Sequence, residues 1–332
     1  MPTSTEVLTW LQSPLAGTPT WAWLLFFVVV IALLALDLGV FHREEREIGI
    51  RESLRTSALY ILAALLFASW IWSSFGGDDA IRFLTGYFIE KSLSLDNIFV
   101  ISLIFGYLAI PRPLQHRVLF WGILGVIVLR AVMIGAGAAL VSQFGWVLYL
   151  FAGFLILTGI KMFMTGDGHG DVGDSKLTRF IRRRFRVTDD LEGQRFFVRR
   201  PGRDGRMVLW ATPMFLALVM IEVADVIFAV DSVPAIFAIT TDPYIVYTSN
   251  IFAILGLRAL YFALAAVIHR FAYLKQALAV LLIFIGGKVF VADLFGWAKF
   301  PAEWSLAITA LILTSGVVWS LWRTREDPGR AA

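Results

Sequence analysis

Two hydrophobic stretches of this chain carry acidic residues that a membrane would not tolerate without reason. In the first, Phe88-Ile89-Glu90-Lys91-Ser92-Leu93-Ser94-Leu95-Asp96-Asn97-Ile98-Phe99, charged and amide side chains interrupt a run otherwise fit to cross a bilayer. In the second, Met220 to Pro234, the acids are Glu222, Asp225 and Asp231. A charge near the bilayer centre costs about 2.5–3.5 kcal/mol on insertion scales, so such residues usually line a pathway or a site. Carboxylates accompanied by Asn97, Ser94 and Ser232 form an all-oxygen donor set, which suits hard cations such as Mn²⁺, Mg²⁺ or Ca²⁺. The metal candidates are therefore Glu90, Asp96, Asn97, Glu222, Asp225 and Asp231. Crowded carboxylates can also trade protons for a metal ion, the elementary step of a metal–proton antiporter.

Five basic residues are the candidate charge partners: Lys91, Arg130, Lys161, Arg258 and Lys288. Arg130 and Arg258 read as ion-pair partners of acids on neighbouring helices. Lys161 and Lys288 stand near span ends and read as snorkelling anchors, and Asp37 reads as interfacial. The chain has no cysteine, which excludes disulfides, thiolate metal sites, iron–sulfur clusters and thiol redox chemistry. Its four histidines all fall in or beside predicted loops, so an imidazole-rich site within the membrane is not expected.

Helical geometry restricts how the acids converge. Glu222 and Asp225 lie about 60° apart on an ideal helix and share a face. Glu90 and Asp96, like Asp225 and Asp231, lie about 120° and ~9 Å apart. One ion cannot touch both members of such a pair on a regular helix. Either the third and sixth spans unwind, which Pro234 favours, or each contributes one carboxylate to a shared site.

The elements that must hold these residues follow from composition. The 332 residues are 58% hydrophobic and only 16% charged, against roughly 25% charged in soluble domains. The surplus lies in blocks of about 20 residues, the length that spans ~30 Å of hydrocarbon. Nine spans are expected, at 21–41, 56–76, 81–108, 118–142, 145–165, 209–240, 244–268, 275–295 and 303–322. The fold class is an all-α polytopic membrane protein in one transmembrane domain, 1–332. No Lys or Arg occurs in residues 1–20, so the first block lacks the n-region of a signal peptide. Basic residues cluster after the first, third, fifth, seventh and ninth spans, and the alternate loops hold only Lys299. The positive-inside rule then puts the N-terminus outside and the C-terminus in the cytoplasm. The net charge of +4 comes mainly from the loop 166–208, and it signals topology rather than nucleic-acid binding. That loop reads either as a metal-sensing or gating element or as a solvated connector against anionic headgroups.

An internal repeat organises the spans. Ile156-Leu157-Thr158-Gly159-Ile160-Lys161-Met162-Phe163 matches Ile283-Phe284-Ile285-Gly286-Gly287-Lys288-Val289-Phe290. Gly122-Ile123-Leu124-Gly125 before Arg130-Ala131 matches Ala253-Ile254-Leu255-Gly256 before Arg258-Ala259. Spans three to five (81–165) and six to eight (209–295) are thus two copies of one unit, flanked by two leading helices (21–80) and a final helix (303–322). Three spans per copy make the second copy inverted, an architecture that places a substrate site at the repeat interface.

Glu90-Lys91-Ser92-Leu93-Ser94-Leu95-Asp96-Asn97 resembles the signature of the TerC family, named for a tellurium-resistance protein and including the alkali-inducible Alx proteins. Asp225-Val226-Ile227-Phe228-Ala229-Val230-Asp231-Ser232-Val233-Pro234-Ala235 and Thr248-Ser249-Asn250-Ile251-Phe252-Ala253-Ile254-Leu255-Gly256-Leu257-Arg258-Ala259-Leu260 resemble it too. The resemblance covers roughly residues 20–325. It implies a multi-pass protein of the bacterial cytoplasmic (inner) membrane, from a family associated with manganese export, metal homeostasis and tellurium resistance.

The expected function is a secondary transporter that exports a divalent cation, Mn²⁺ foremost, against protons, through an acidic site between the third and sixth spans. The metal is cargo, with no resident cofactor, and the bilayer is the surrounding partner; self-association or other membrane partners stay open. One alternative is transport of a zwitterion or an oxyanion such as tellurite. Another is a scaffold or assembly protein of a tellurite-resistance or stress complex that transports nothing. No enzyme is expected: there is no His-Glu-x-x-His motif, and no nucleophile stands beside a histidine.

Overall fold

A computed structural model describes residues 10–39, 50–164, 186–188, 190–201, 206–264, 274–297 and 300–326. The chain enters through a small antiparallel ladder, β1 (Pro14–Leu15) and β2 (Thr18–Pro19). Its two-residue turn needs positive φ at both positions, supplied by Ala16 (φ 52) and Gly17 (φ 88). Five helices follow: α1 (Thr20–Gly39), α2 (Ile50–Phe75), α3 (Gly77–Tyr107), α4 (Arg112–Gln143) and α5 (Val147–Met164). After a hairpin of β3 (Phe197–Pro201) and β4 (Met207–Ala211) come α6 (Pro213–Phe237), α7 (Pro243–Leu255), α8 (Leu257–Leu264), α9 (Leu274–Leu294) and α10 (Ala302–Glu326).

The protein is a polytopic all-α membrane protein. Among the described residues, seven helical segments are long and apolar enough to cross a membrane: α2, α4, α5, α6, α7 with α8, α9 and α10. Large apolar side chains project outward from them, including Leu66, Val128, Leu157, Ile227 and Leu311. In water such a surface would drive aggregation; in lipid it is the matching surface.

At the centre stands α7, on which every residue from Tyr244 to Leu255 is buried. A helix that is apolar all round belongs in a core. Asp242 caps its start, accepting from the Tyr244 N–H at 2.8 Å, and Pro243 occupies the first turn, where a missing N–H costs nothing. Burial pushes the Asp242 carboxyl above its usual range, while the backbone N–H groups pull against that. Phe26, Phe67, Phe83 and Phe252 pack into one aromatic cluster that locks α1, α2, α3 and α7 together, with the Phe67 and Phe252 rings 4.7 Å apart.

Three expectations are corrected. The third and sixth spans do not unwind at their acids: α3 and α6 are continuous through those positions. In α3 the Ser92 and Ser94 hydroxyls donate back to Phe88 O and Glu90 O at 2.7 Å, satisfied within the helix. In α6, Pro234 lies inside the helix, which continues past it to Phe237. The break lies in the seventh span at Gly256, and the Lys91 ammonium donates to Ala253 O (3.2 Å) just before it. Second, the sixth span does not begin at 209. Residues 207–211 form a strand paired with 197–201 from Phe197↔Ala211 to Pro201↔Met207, so the loop 166–208 contains ordered structure and the helix starts at Pro213. Third, Lys288 is no snorkelling anchor. It is 4% exposed and donates to Ser305 Oγ on α10 at 2.8 Å.

The tightest helix pair is α5 with α9, and its contacts are reciprocal. A Cβ added at Gly159 would lie 2.7 Å from both Ala279 O and Ile283 Cγ1. One added at Gly286 would lie 2.5 Å from Ala152 O and 2.8 Å from Ile156 Cγ1. Ala152, Ile156 and Gly159 correspond to Ala279, Ile283 and Gly286 at one constant offset, so each helix presents the same face to the other. Small residues permit this backbone approach, which is how helices gain contact where no hydrophobic effect drives them together.

Gly286→Ala is therefore expected to lower stability by about 1–3 kcal/mol, since a backbone carbonyl has to move. Gly287→Ala meets nothing within 4 Å and is expected to be neutral or better. Thermal unfolding of the two variants side by side in detergent measures the difference.

Candidate functional site

The site is built on seven-residue spacings. Glu90 and Asn97 lie two turns apart on one stripe of α3, and Asp225 and Ser232 do the same on α6. Between these stripes α4 inserts Arg130, which is completely buried. Its Nε donates to Asp225 Oδ2 and its Nη2 to Asp225 Oδ1, both at 3.0 Å, a bidentate fork. Its Nη1 reaches Glu90 Oε1 at 3.0 Å, Ser232 Oγ at 2.7 Å and Asn250 Oδ1 at 3.4 Å. The Asn250 amide, from α7, donates in turn to Glu90 Oε2 at 3.0 Å. Asn97 Nδ2 donates to Asp225 Oδ1 at 3.4 Å. Four helices thus converge on one guanidinium.

A small cavity adjoins this node, lined by Asn97, Asp225, Gly122, Ile123, Ile221 and Leu257 among others. Because the Asn97 amide nitrogen faces Asp225, its carbonyl oxygen points elsewhere, and this oxygen is buried without a hydrogen-bond partner among the described residues. Glu222 Oε2, one turn before Asp225, is in the same state. The Glu222 side chain lies directly over Gly125, whose missing Cβ makes room for it, and reaches Gly122.

The structure brings together Glu90, Asn97 and Asp225, with Glu222 next to them. Asp231 is elsewhere: it is half-buried and takes a hydrogen bond from Thr158 of α5. The Asp96 and Asp37 side chains lie outside the described residues. Lys91 serves the carbonyl end of α7 rather than an acid, Lys161 is exposed near the end of α5, and Arg258 is buried in α8. Among the described residues, no three His, Asp or Glu side chains form a ready metal cluster. Asn250 is not among the site residues expected from sequence; the available signal is the polar run Thr248-Ser249-Asn250 inside an otherwise largely apolar helix. A second, larger cavity lies at the far ends of α6 and α9, lined by Asp78, Arg82, Tyr149, Thr240, Lys288 and Asp293 among others.

Comparison with known proteins gives a consistent set. A family model described as "Integral membrane protein TerC family" matches residues 75–328. A membrane protein of Myxococcus xanthus is 47% identical, over 95% of this chain and 96% of that protein. A Rickettsia bellii membrane protein is also 47% identical, over 91% of this chain and 97% of its own length. The Alx protein of Escherichia coli K12, named as a proposed membrane-bound redox modulator, is 44% identical over 95% of this chain and 98% of its own. No solved structure matches the chain significantly.

Removing one partner of a buried ion pair strands the other charge, at about 3–5 kcal/mol. Arg130→Leu is expected to lose that much, and Arg130→Leu combined with Glu90→Gln and Asp225→Asn to regain most of it. Thermal denaturation of the purified variants in detergent, with no divalent metal present, reads out both.

Proposed function

The chain belongs to the TerC family of integral membrane proteins, and we propose that it is a secondary transporter exporting a divalent cation, Mn²⁺ foremost, across the bacterial inner membrane. The observation that carries this reading is the node at Arg130. One carboxylate from α3 and one from α6 meet there, beside the Ser232 hydroxyl and the Asn250 amide oxygen, while the Asn97 amide nitrogen donates to Asp225. An all-oxygen set without thiolate or imidazole favours Mn²⁺ and its hard neighbours over softer metals.

In this reading the nine spans contain two inverted three-helix units, α3–α5 and α6–α9, with the N-terminus outside. The reciprocal α5–α9 seam and the matching pairs Glu90/Asn97 and Asp225/Ser232 support the repeat. The larger cavity opens at the ends of α6 and α9, on the side whose loops carry a single basic residue, Lys299, and serves as the outward vestibule. Protons drive the return step, entering through carboxylates that release metal. A thiol redox role, suggested by the name of the Alx relatives, has no cysteine to work with. The protein acts as a transporter and not as an enzyme.

Inside-out vesicles with an imposed pH gradient test the proposal. Wild type is expected to accumulate Mn²⁺, and Glu90→Gln and Asp225→Asn each to reduce the initial rate at least tenfold. Unchanged flux in both variants would sink the transport reading and favour a scaffold.

A further inference from the structure

We propose that Arg130 is a tethered stand-in for the transported ion: its guanidinium holds Asp225 when the carrier is empty, and an arriving divalent cation takes Asp225 from it. This rests on the exporter reading above and adds how that site is emptied and reset. The argument starts from the acceptors. The acceptor oxygens around the guanidinium itself are already engaged by its N–H groups. Both Asp225 oxygens hold the Nε/Nη2 fork, and Glu90 Oε1, Ser232 Oγ and Asn250 Oδ1 surround Nη1. A cation cannot bind Asp225 while the fork is in place.

The two sides of the guanidinium are held differently, however. Nη1 has three acceptors that do not involve Asp225, so the group can pivot on Nη1 and release Asp225 while staying bound to Glu90. The space on the released side is prepared for positive charge. Asn97 is 6% exposed and its carbonyl oxygen has no donor. Glu222 Oε2 is likewise buried and without a donor; Asn97 lines the cavity together with Asp225, and the Glu222 side chain lies against Gly122, which lines it too. Two orphaned acceptor oxygens beside the Asp225 carboxylate suit a cation better than an anion.

Charge counting agrees and sets the valence. Glu90 and Asp225 face the guanidinium and Glu222 stands one turn from Asp225 on the same helix; when ionised, the three acids exceed Arg130 by two negative charges. A divalent cation on Asp225, Glu222 and the Asn97 oxygen leaves Arg130 paired with Glu90, and both groups are then neutral. A monovalent ion leaves the site one charge short. Arg130 also cannot discharge itself by losing a proton, so it recloses on Asp225 whenever the metal departs.

The test is Mn²⁺ titration of the full-length protein in detergent by calorimetry, together with vesicle flux. Arg130→Gln removes the competitor and is expected to bind Mn²⁺ at least tenfold more tightly than wild type, yet to transport more slowly because the emptied cage does not reset. Arg130→Lys keeps the charge but loses the fork, and is expected to bind about three- to tenfold more tightly; it decides the matter if Arg130→Gln does not fold. Glu222→Gln is expected to weaken binding about tenfold although Glu222 does not touch Arg130. Equal or weaker Mn²⁺ binding in the foldable Arg130 variant overturns the stand-in, and leaves the exporter reading intact if wild-type flux still depends on Asp225. Absence of Mn²⁺ binding and flux in wild type removes both.

Discussion

Everything near the middle of this protein is arranged around a guanidinium that has no access to water. An unpaired Arg130 would be untenable at 0% exposure, and so would Glu90 or Asp225 without it. The requirement works across helices: α4 supplies the cation, α3 and α6 the anions, and α7 the amide that finishes Glu90. Helices in a bilayer gain nothing from hydrophobic association, so polar contacts of this kind fix register where packing alone would permit sliding. The burial of α7 on all sides follows from the same demand, because Asn250 must reach the node from inside the bundle.

Such an arrangement costs stability relative to an apolar core, since desolvating three charges offsets much of their attraction. A chain that keeps it is holding charge where charge can be used. The neighbouring cavity, with its unpaired oxygens, fits that view. So does the glycine at 125, which makes room for Glu222 instead of a side chain of its own.

Much of this was legible in the sequence. The apolar helices, the candidacy of Glu90 and Asp225 with Arg130 as an ion-pair partner, and the correspondence of 156–163 with 283–290 all come from hydropathy, charge in apolar runs and self-similarity. The seven-residue spacing was also present in the sequence, but the acid-to-acid spacing of six drew attention instead. Acids six apart point about 120° from each other, which is why Asp231 meets Thr158 and not the node. The break was expected at Pro234 because proline is the familiar helix breaker, yet α6 continues past it to Phe237. The break falls instead at Gly256, where the Lys91 ammonium and Tyr60 crowd the space a Cβ would take, and that crowding depends on contacts between distant positions. For the β3–β4 hairpin the available signal is the Pro- and Gly-containing sequence of 201–205, against which the apolar run Val208–Ala211 reads as the start of a span.

The reciprocal seam between α5 and α9 has a consequence for ancestry. A contact in which each side offers the same residues to the other does not need a single polypeptide. Two separate copies of a half-length chain, inserted in opposite directions, could make it from one set of amino acids, and joining their ends would leave it unaltered. After such a fusion, each side of the seam is free to change only as far as its twin allows. Gly159 and Gly286 are then the positions at which the two histories remain coupled.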